Sequence, residues 1–289
     1  MLGGGRRSSC STARRAIHPE MSVCGRMCTV HPSSYGGVDD AGREETGPVM
    51  RRAEPFGDMQ AELSTLAASA DAAMAVAVRG SDGVWTRFGS PDDACESRFE
   101  IGSVSKALTG SLFGILIASG DVDPDSPVDD VLGEGLPWRE AAPTLRDLAT
   151  HRSGLPNTPR ALFLREMATA LGFSTKDPWR GVTKNAYREH LRAAARRARG
   201  RGRFGYSSMG VGLLGDALSA AMGVPFEELI RTRLLEPVGM TRTGLDRPTT
   251  GADVVARPTN RKDVTLPYLK DEMPAAGMYA STIADLQLL

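Results

Sequence analysis

Apolar residues recur at helical spacing through the middle of the chain. Positions 104, 108, 112, 115 and 116 fit one face of a helix that begins near Ser103. A second such pattern begins after Tyr206 and ends at Gly223, because glycine commonly follows the last turn of a helix. The chain from Ser103 to about Leu235 is therefore predicted to be mostly helical, with loops rich in proline and glycine.

A β-hairpin is predicted before this helical region. The apolar run from Ala73 to Arg79 is followed by the glycines at 80 and 83, and a second run from Val84 to Phe88 follows. Strands at one end and helices in the middle are typical of an α+β fold, with an antiparallel sheet flanked by helices. The helix near Ser103 is expected to lie between these two parts.

Residues 1–58 differ in composition from the rest of the chain. They are rich in Gly, Arg, Ser and Pro and show no periodic apolar pattern, which favours a disordered extension before a domain at 59–289. An over-long start site is the alternative, with three methionines as possible initiators: Met21, Met50 and Met59. The extension also holds a Cys/His cluster, which we interpret as a chance grouping because no ordered unit is predicted to hold a zinc ion there. Its members are His18, Cys24, Cys28 and His31.

Charge and cysteine content exclude several classes of function. The chain of 289 residues has 35 basic and 35 acidic residues, so nothing in its net charge favours nucleic acid or an anionic membrane as a partner. The seven arginines between 188 and 203 are interpreted as a solvated basic helix and loop. No run approaches the roughly 18 apolar residues of a membrane-spanning helix. Without a recognisable export signal or disulfide framework, a cytoplasmic location is expected.

The strongest chemical candidate is the segment Ser103-Val-Ser-Lys106. The serine hydroxyl and the lysine amine lie one helical turn apart, and the N–H groups at the helix start can stabilise an oxyanion. The chain has only five lysines, and one of them, Lys106, stands where a proton acceptor is needed. Arginine could not take this role, because its guanidinium group cannot lose a proton in a protein. The alternative is an ordinary capping serine followed by a solvated lysine, which the tetrapeptide alone favours.

Two further segments carry candidate residues. Tyr206 lies in a loop before a helix, where no apolar pattern requires it in the core. Thr144 and Asp147 have the spacing of a capping box, and the turn at 154–156 is expected to end that helix. Asp147 and His151 are therefore interpreted as structural residues.

Taken in order, these segments resemble those of the penicillin-recognising serine hydrolases. This family includes class C β-lactamases, DD-peptidases and β-lactamase-like esterases. The segment 99–106 resembles the family's nucleophile motif, and 144–156 resembles its T-L-R-D-L-L-T-H-T-S-G-L-P segment. Tyr206-Ser-Ser-Met-Gly resembles Y-S-N-x-G, and further matches lie at 235–243 and 276–286. The resemblance extends from about residue 70 to the last residue.

The resemblance implies a β-lactamase/transpeptidase-like α+β fold with a helical subdomain. It further implies hydrolysis of a small-molecule ester or amide, such as a β-lactam, a D-amino-acid peptide or a carboxylic ester, through an acyl-enzyme on Ser103. Lys106 and Tyr206 are the implied proton-transfer groups and Ser208 the implied substrate-binding residue, with no metal or cofactor. The identity of the base stays open, because free lysine and tyrosine have similar pKa values near 10.4 and about 10. The oligomeric state also stays open.

Two departures from the family pattern bear on activity. Ser208 occupies the place of an asparagine, so a shorter side chain faces the substrate. The family's third motif, K/H-x-G or W-G-G, lies beyond the landmark around Ser281, and no such motif follows Ser281 here. We therefore expect the C-terminal strands and the second oxyanion donor to be missing from this chain. The alternative function is an inactive truncated relative that acts as a binding or structural protein.

Overall fold

A computed structural model describes residues 28–29, 59–70, 73–81, 83–246, 255–256 and 273–289. The predictions made for residues 1–58, namely the disordered extension and the chance Cys/His cluster, lie outside the described residues apart from the short strand at Cys28–Thr29.

Helices make up about half of the described residues, and most helical residues lie in the region from Ser103 to about Leu235 that the apolar pattern predicts; the helices Met59–Ala70, Pro274–Gly277 and Ile283–Leu286 lie outside it. The α-helices are α1 Met59–Ala70, α2 Ser105–Ala118, α3 Val128–Leu132, α4 Leu145–Ala149, α5 Arg160–Ala170, α6 Lys184–Ala195, α7 Ser208–Met222, α8 Phe226–Ile230, α9 Glu236–Val238, α10 Pro274–Gly277 and α11 Ile283–Leu286. Short 3-10 turns lie at Asp92–Glu96 and Gly102–Val104, and a π turn lies at Arg231–Leu235.

Two small antiparallel sheets accompany the helices. The strands are β1 Cys28–Thr29, β2 Met74–Arg79, β3 Trp85–Ser90, β4 Phe99–Glu100 and β5 Ala280–Ser281. β2 and β3 form the predicted hairpin, with Val76 opposite Phe88, and β1 pairs with the other edge of β3. β4 pairs with β5, so residues near the two ends of the described domain meet beside Ser103. The α+β prediction is confirmed.

Helix α7 lies in the middle of the hydrophobic core. Its apolar residues are buried on almost every side, and they pack with buried leucines of α2. The glycines of α7 allow the segment 273–277 to approach closely: a Cβ at Gly215 would lie 2.4 Å from the Cβ of Ala275, and one at Gly212 would lie 2.8 Å from Cγ of Met273. This approach brings the backbone of 273–277 against the start of α2.

Three details of the helix predictions need correction. Ser103 lies inside a first turn of 3-10 helix and makes no capping hydrogen bond, so the alternative of an ordinary capping serine is wrong. Val104 lies at the edge of the buried face of α2 and is 49% exposed, whereas Leu108 is buried. α4 ends at Ala149 rather than at the turn 154–156, because the backbone of His151 has a φ of 59°.

Membrane-spanning potential is weak among the described helices. None of them alone is long and apolar enough to cross a bilayer. Two consecutive helical segments, Ser208–Met222 and Phe226–Val238, together have the length and apolar composition of a span, but the chain bends by 82° between them.

We expect Gly215→Ala to lower the free energy of unfolding by about 1–3 kcal/mol, because the new methyl group would overlap the Cβ of Ala275, which cannot move aside. Gly110→Ala in α2 is the matched control. A Cβ at Gly110 meets nothing within 4 Å, so this variant should gain about 0.5–1 kcal/mol from helix propensity. Urea unfolding measures both changes. Equal stability of the two variants would contradict the close packing of α7.

Candidate active site

Ser103 stands where a short strand turns into helix α2. β4 ends at Glu100, and the Ile101 N–H donates to Tyr279 O at 3.0 Å, which ties this corner to the residue before β5. Gly102 has a φ of 49°, a conformation that residues with a side chain rarely adopt. The sharp turn leaves the Ser103 side chain exposed in the first turn of the helix.

Lys106 lies one turn further along, and its ammonium group reaches back to the serine. Lys106 Nζ is 3.0 Å from Ser103 Oγ and donates to Ala276 O at 2.6 Å. One turn later, Thr109 Oγ1 donates to Ala275 O at 2.7 Å. Two consecutive carbonyls of the segment 273–277 therefore bind two side chains of α2, and this fixes the direction of the lysine.

Tyr206 is the second residue whose side chain contacts the Ser103 hydroxyl. Its hydroxyl donates to Ser103 Oγ at 2.8 Å, and Lys106 Nζ lies 5.1 Å from the centroid of its ring. The side chain is 45% exposed, so one side of the site is open to solvent. The structure thus brings together the three residues that the sequence predicts as the reacting groups.

Ser207 anchors the backbone beside Tyr206. Its side chain is fully buried, donates to Pro156 O at 2.8 Å and accepts from the Gly210 N–H at 2.8 Å, so it is the N-cap of α7. The Ser207 N–H in turn donates to His151 Nδ1 at 3.2 Å. Because every polar group of this buried serine is paired, the position of Tyr206 is fixed by its neighbour.

The loop before Tyr206 is bound along its length to α4 and the turn after it. Asp147 forms the predicted capping box with Thr144 and also pairs with Arg201, whose Nε lies 2.7 Å from Asp147 Oδ2. Arg152 and Gly202 exchange two hydrogen bonds at 2.7 and 2.8 Å. The capping-box prediction is confirmed, and Asp147 additionally holds the loop that carries the tyrosine.

His151 supports the tyrosine through its ring. Its Nδ1 accepts the Ser207 N–H, and its ring centroid lies 4.6 Å from that of Tyr206 and 6.0 Å from that of Phe204. Burial lowers the pKa of His151, and the nearby positive charge of Lys106 lowers it further. A neutral imidazole tilted against the Tyr206 ring fits the structural role that the sequence predicts for His151.

The surroundings of Tyr206 favour its phenolate. Partial burial raises the pKa of Tyr206, but hydrogen bonds with Ser103 and Lys106, the charge of Lys106 and a hydrogen bond with Ser208 outweigh burial and bring that pKa below its usual value. A lowered pKa makes a tyrosine a stronger candidate for a general base near neutral pH.

Ser208, the predicted substrate-binding residue, has a partner that sequence analysis missed. Ser208 Oγ donates to Asn157 Oδ1 at 2.7 Å, and the Ser208 N–H donates to the same atom at 3.1 Å. Asn157 follows directly on the Gly154-Leu-Pro156 turn, and this position was the one feature of the sequence that could have pointed to it as a site residue. The structure therefore places a carboxamide beside the position where the family sequence has asparagine.

The arrangement has the parts that acyl transfer requires. The Ser103 hydroxyl lies within hydrogen-bond reach of Lys106 and Tyr206 in the first turn of a helix, an arrangement in which a serine can act as a nucleophile. Within the described ranges there is no group of three or more His, Cys, Asp or Glu side chains that could hold a metal ion.

Comparison with known proteins identifies the family. The family model described as Beta-lactamase matches residues 62–289. The chain therefore belongs to the beta-lactamase family.

Two curated relatives match about half of the chain. D-alanyl-D-alanine-carboxypeptidase/endopeptidase AmpH of Escherichia coli K12 is 28% identical over 151 residues, which are 51% of this chain and 37% of AmpH. A Beta-lactamase of Pseudomonas fluorescens is 29% identical over 160 residues, which are 55% of this chain and 40% of that protein. The matched part thus spans less than half of the length of either relative.

Solved structures share the fold. The octameric penicillin-binding protein homologue of Pyrococcus abyssi superposes with a TM-score of 0.65 at 23% identity, covering 81% of this chain and 55% of that one. A class C beta-lactamase in complex with cefoxitin superposes with a TM-score of 0.63 at 20% identity, covering 81% of this chain and 64% of that one. The β-lactamase/transpeptidase-like fold implied by the sequence resemblance is confirmed.

We expect Lys106→Met to raise the pKa of Tyr206, because the variant removes both a hydrogen bond and a positive charge that favour the phenolate. Ultraviolet difference absorbance of the phenolate, with Tyr206→Phe subtracted to isolate this residue, measures the titration. The absorbance should appear at higher pH in Lys106→Met than in the wild type. Lys184→Met on the exposed face of α6 is the control and should leave the titration unchanged. An unshifted midpoint in Lys106→Met would contradict the coupling.

Proposed function

We propose that this protein is a serine hydrolase that cleaves an ester or amide through an acyl-enzyme on Ser103. The observation that carries the proposal is the convergence of Lys106 Nζ, at 3.0 Å, and the Tyr206 hydroxyl, at 2.8 Å, on Ser103 Oγ. The names of the relatives, a carboxypeptidase/endopeptidase and a beta-lactamase, support substrates with an acyl group transferred from nitrogen. The substrate class we propose is a β-lactam, a D-amino-acid peptide or a carboxylic ester.

Tyr206 is the general base in this proposal, with Lys106 as a fixed positive charge. The carbonyl of Ala276 can only accept a hydrogen bond, and the aromatic face of Tyr206 attracts a cation, so both neighbours stabilise a charged Lys106. That charge is in turn one cause of the lowered pKa of Tyr206. The geometry therefore supports the phenolate rather than a neutral lysine as the group that deprotonates Ser103.

The first half of the reaction forms the acyl-enzyme. The Tyr206 phenolate takes the proton of Ser103 as Oγ bonds to the substrate carbonyl carbon, and the negative charge moves to the carbonyl oxygen. The Ser103 N–H in the first turn of the helix is the proposed donor to this oxyanion, because the next two N–H groups already donate to Ile101 O and Gly102 O. Tyr206 then returns the proton to the departing nitrogen or oxygen as its bond to the carbonyl carbon breaks.

The second half repeats these steps with water. Tyr206, again a phenolate, takes a proton from a water molecule that attacks the acyl carbon. The bond to Ser103 Oγ breaks, the proton returns to Oγ, and the carboxylic acid leaves. The half-exposed Tyr206 side chain leaves the water a route to the acyl group.

We expect Ser103 to be the residue that a fluorophosphonate labels. It combines an exposed hydroxyl with two proton-transfer partners, whereas the neighbouring Ser105 is buried and accepts the Tyr279 N–H. Mass mapping should place the adduct on the tryptic peptide 99–106, and Ser103→Ala should lose it while Ser105→Ala keeps it. An adduct on any other serine would falsify the assignment.

We expect Tyr206→Phe to slow this labelling by about 10²–10⁴-fold, which is the usual contribution of a general base. Lys106→Arg should lose less than Tyr206→Phe, because arginine keeps the positive charge even though it cannot give up a proton. The wild-type labelling rate should rise with pH as Tyr206 loses its proton, with a midpoint below the usual pKa of tyrosine. If Lys106→Arg is as slow as Tyr206→Phe, or slower, the lysine is the base and this mechanism is wrong.

A further inference from the structure

The seven arginines between 188 and 203 fall into two groups in the structure. Three of them pair with acidic side chains: Arg188 with Glu134, Arg192 with Glu189 and Arg201 with Asp147. The other four form no ion pair with any residue that the structure describes: Arg196, Arg197, Arg199 and Arg203. Two of these four, Arg197 and Arg199, line the same cleft in the surface.

This cleft, which we call the arginine cleft, has a volume of about 450 Å³ and lies between the start of α5 and the end of α6. Seven of its eleven lining residues are glycine, proline or alanine. The other four carry side-chain nitrogens: Arg160, His190, Arg197 and Arg199. None of the described residues that line the cleft is acidic, so three guanidinium groups share it without a counter-charge.

The acidic side chains that are near the cleft in sequence are engaged elsewhere. Glu166 of α5 accepts hydrogen bonds from Thr158 Oγ1 at 2.7 Å and from Trp179 Nε1 at 3.0 Å. Glu189 of α6 pairs with Arg192 at 2.8 Å. Neither glutamate is a lining residue of the arginine cleft. The like charges in the cleft repel one another, and an anion bound between them would relieve that repulsion.

The backbone that carries two of the arginines is fixed in place. Arg197 lies just after α6, and its Nη1 donates to Ala193 O at 3.0 Å. The chain at Arg199 packs closely on the turn before α5, because a Cβ at Gly154 would lie 2.7 Å from Arg199 O. A ligand would therefore have to order side chains only, which lowers the entropic cost of binding.

We propose that the arginine cleft binds an organic anion that carries two or more phosphate groups, such as a nucleoside diphosphate. Arginine presents paired N–H donors that match the oxygens of a phosphate group. A ligand with a single carboxylate would pair with one guanidinium group and leave two without a counter-charge. The alanines and prolines of the cleft offer an apolar surface to the organic part of the ligand.

The proposed ligand site is separate from the proposed reaction centre. None of the three residues Ser103, Lys106 and Tyr206 lines the arginine cleft. The volume of the cleft falls in the usual range for small-molecule sites, roughly 300–1,000 Å³, so it can hold such a ligand without help from the catalytic groups.

The test is calorimetric titration of the whole chain, in buffer without metal ions, with ADP, inorganic pyrophosphate and adenosine. ADP should bind at one site per chain. Pyrophosphate should bind more weakly, because it lacks the organic part, and adenosine should show no measurable binding. Arg197→Gln and Arg199→Gln each remove one charged donor and should weaken ADP binding about tenfold or more.

Matched variants control for general charge and for folding. Arg196→Gln removes an exposed positive charge directly beside Arg197, but Arg196 does not line the cleft, so the affinity for ADP should change little. Ser103→Ala should bind ADP as tightly as the wild type does. The arginines of the cleft are exposed, so their variants should keep the wild-type melting temperature, and Arg160→Gln serves if one of the others does not fold.

Four outcomes would overturn the inference. The first is that the wild type does not bind ADP. The second is that Arg196→Gln loses as much affinity as Arg199→Gln, which would indicate diffuse attraction by a basic surface. The third is that Ser103→Ala loses ADP binding, which would place the ligand at the reaction centre. The fourth is that citrate, a tricarboxylate, displaces ADP as effectively as pyrophosphate does, which would show that the cleft does not select phosphate groups.

Discussion

The hydrogen bond from Lys106 Nζ to Ala276 O is the interaction on which the arrangement of the site depends. At 2.6 Å it fixes the end of a long, flexible side chain, and the neighbouring bond from Thr109 to Ala275 O prevents the two segments from sliding past each other. With its direction set in this way, the lysine presents its remaining protons to Ser103. A lysine free in solvent would lose this geometry to rotamer entropy.

The carbonyl of Ala276 is in place because of helix α7. Gly212 and Gly215 let the segment 273–277 pack against the helix at a distance that side chains would prevent. The N-terminus of the same helix begins directly after Tyr206 and is capped by Ser207. One buried helix therefore positions both groups that contact Ser103 Oγ: Tyr206 directly, and Lys106 through Ala276. A shift of α7 would disturb both hydrogen-bond partners of the Ser103 hydroxyl together.

Local patterns in the sequence were sufficient to predict much of this structure. The hairpin, the helical region and the capping box at Thr144 depend on residues a few positions apart, and they were predicted correctly. The partners Ala276 and Asn157 were not found, because each meets its contact across 170 or 51 residues of chain and neither has a distinctive side-chain pattern. Val104 was wrongly placed in the core, because the buried face of α2 is centred between Leu108 and Thr109 rather than on the line through Val104 and Leu108.

The polar side chains that support the proposed reacting groups are buried. Ser105, Thr109 and Ser207 are completely buried, and the side chain of each forms a hydrogen bond with a backbone group. These three residues lie near Ser103, Lys106 and Tyr206 in the chain. Replacing any of them would leave a buried polar partner unsatisfied, which costs about 1–3 kcal/mol, so this layer resists change. Asn157 is exposed, and water can satisfy the groups around it. Substitution there should therefore cost less stability than substitution in the buried layer around Ser103.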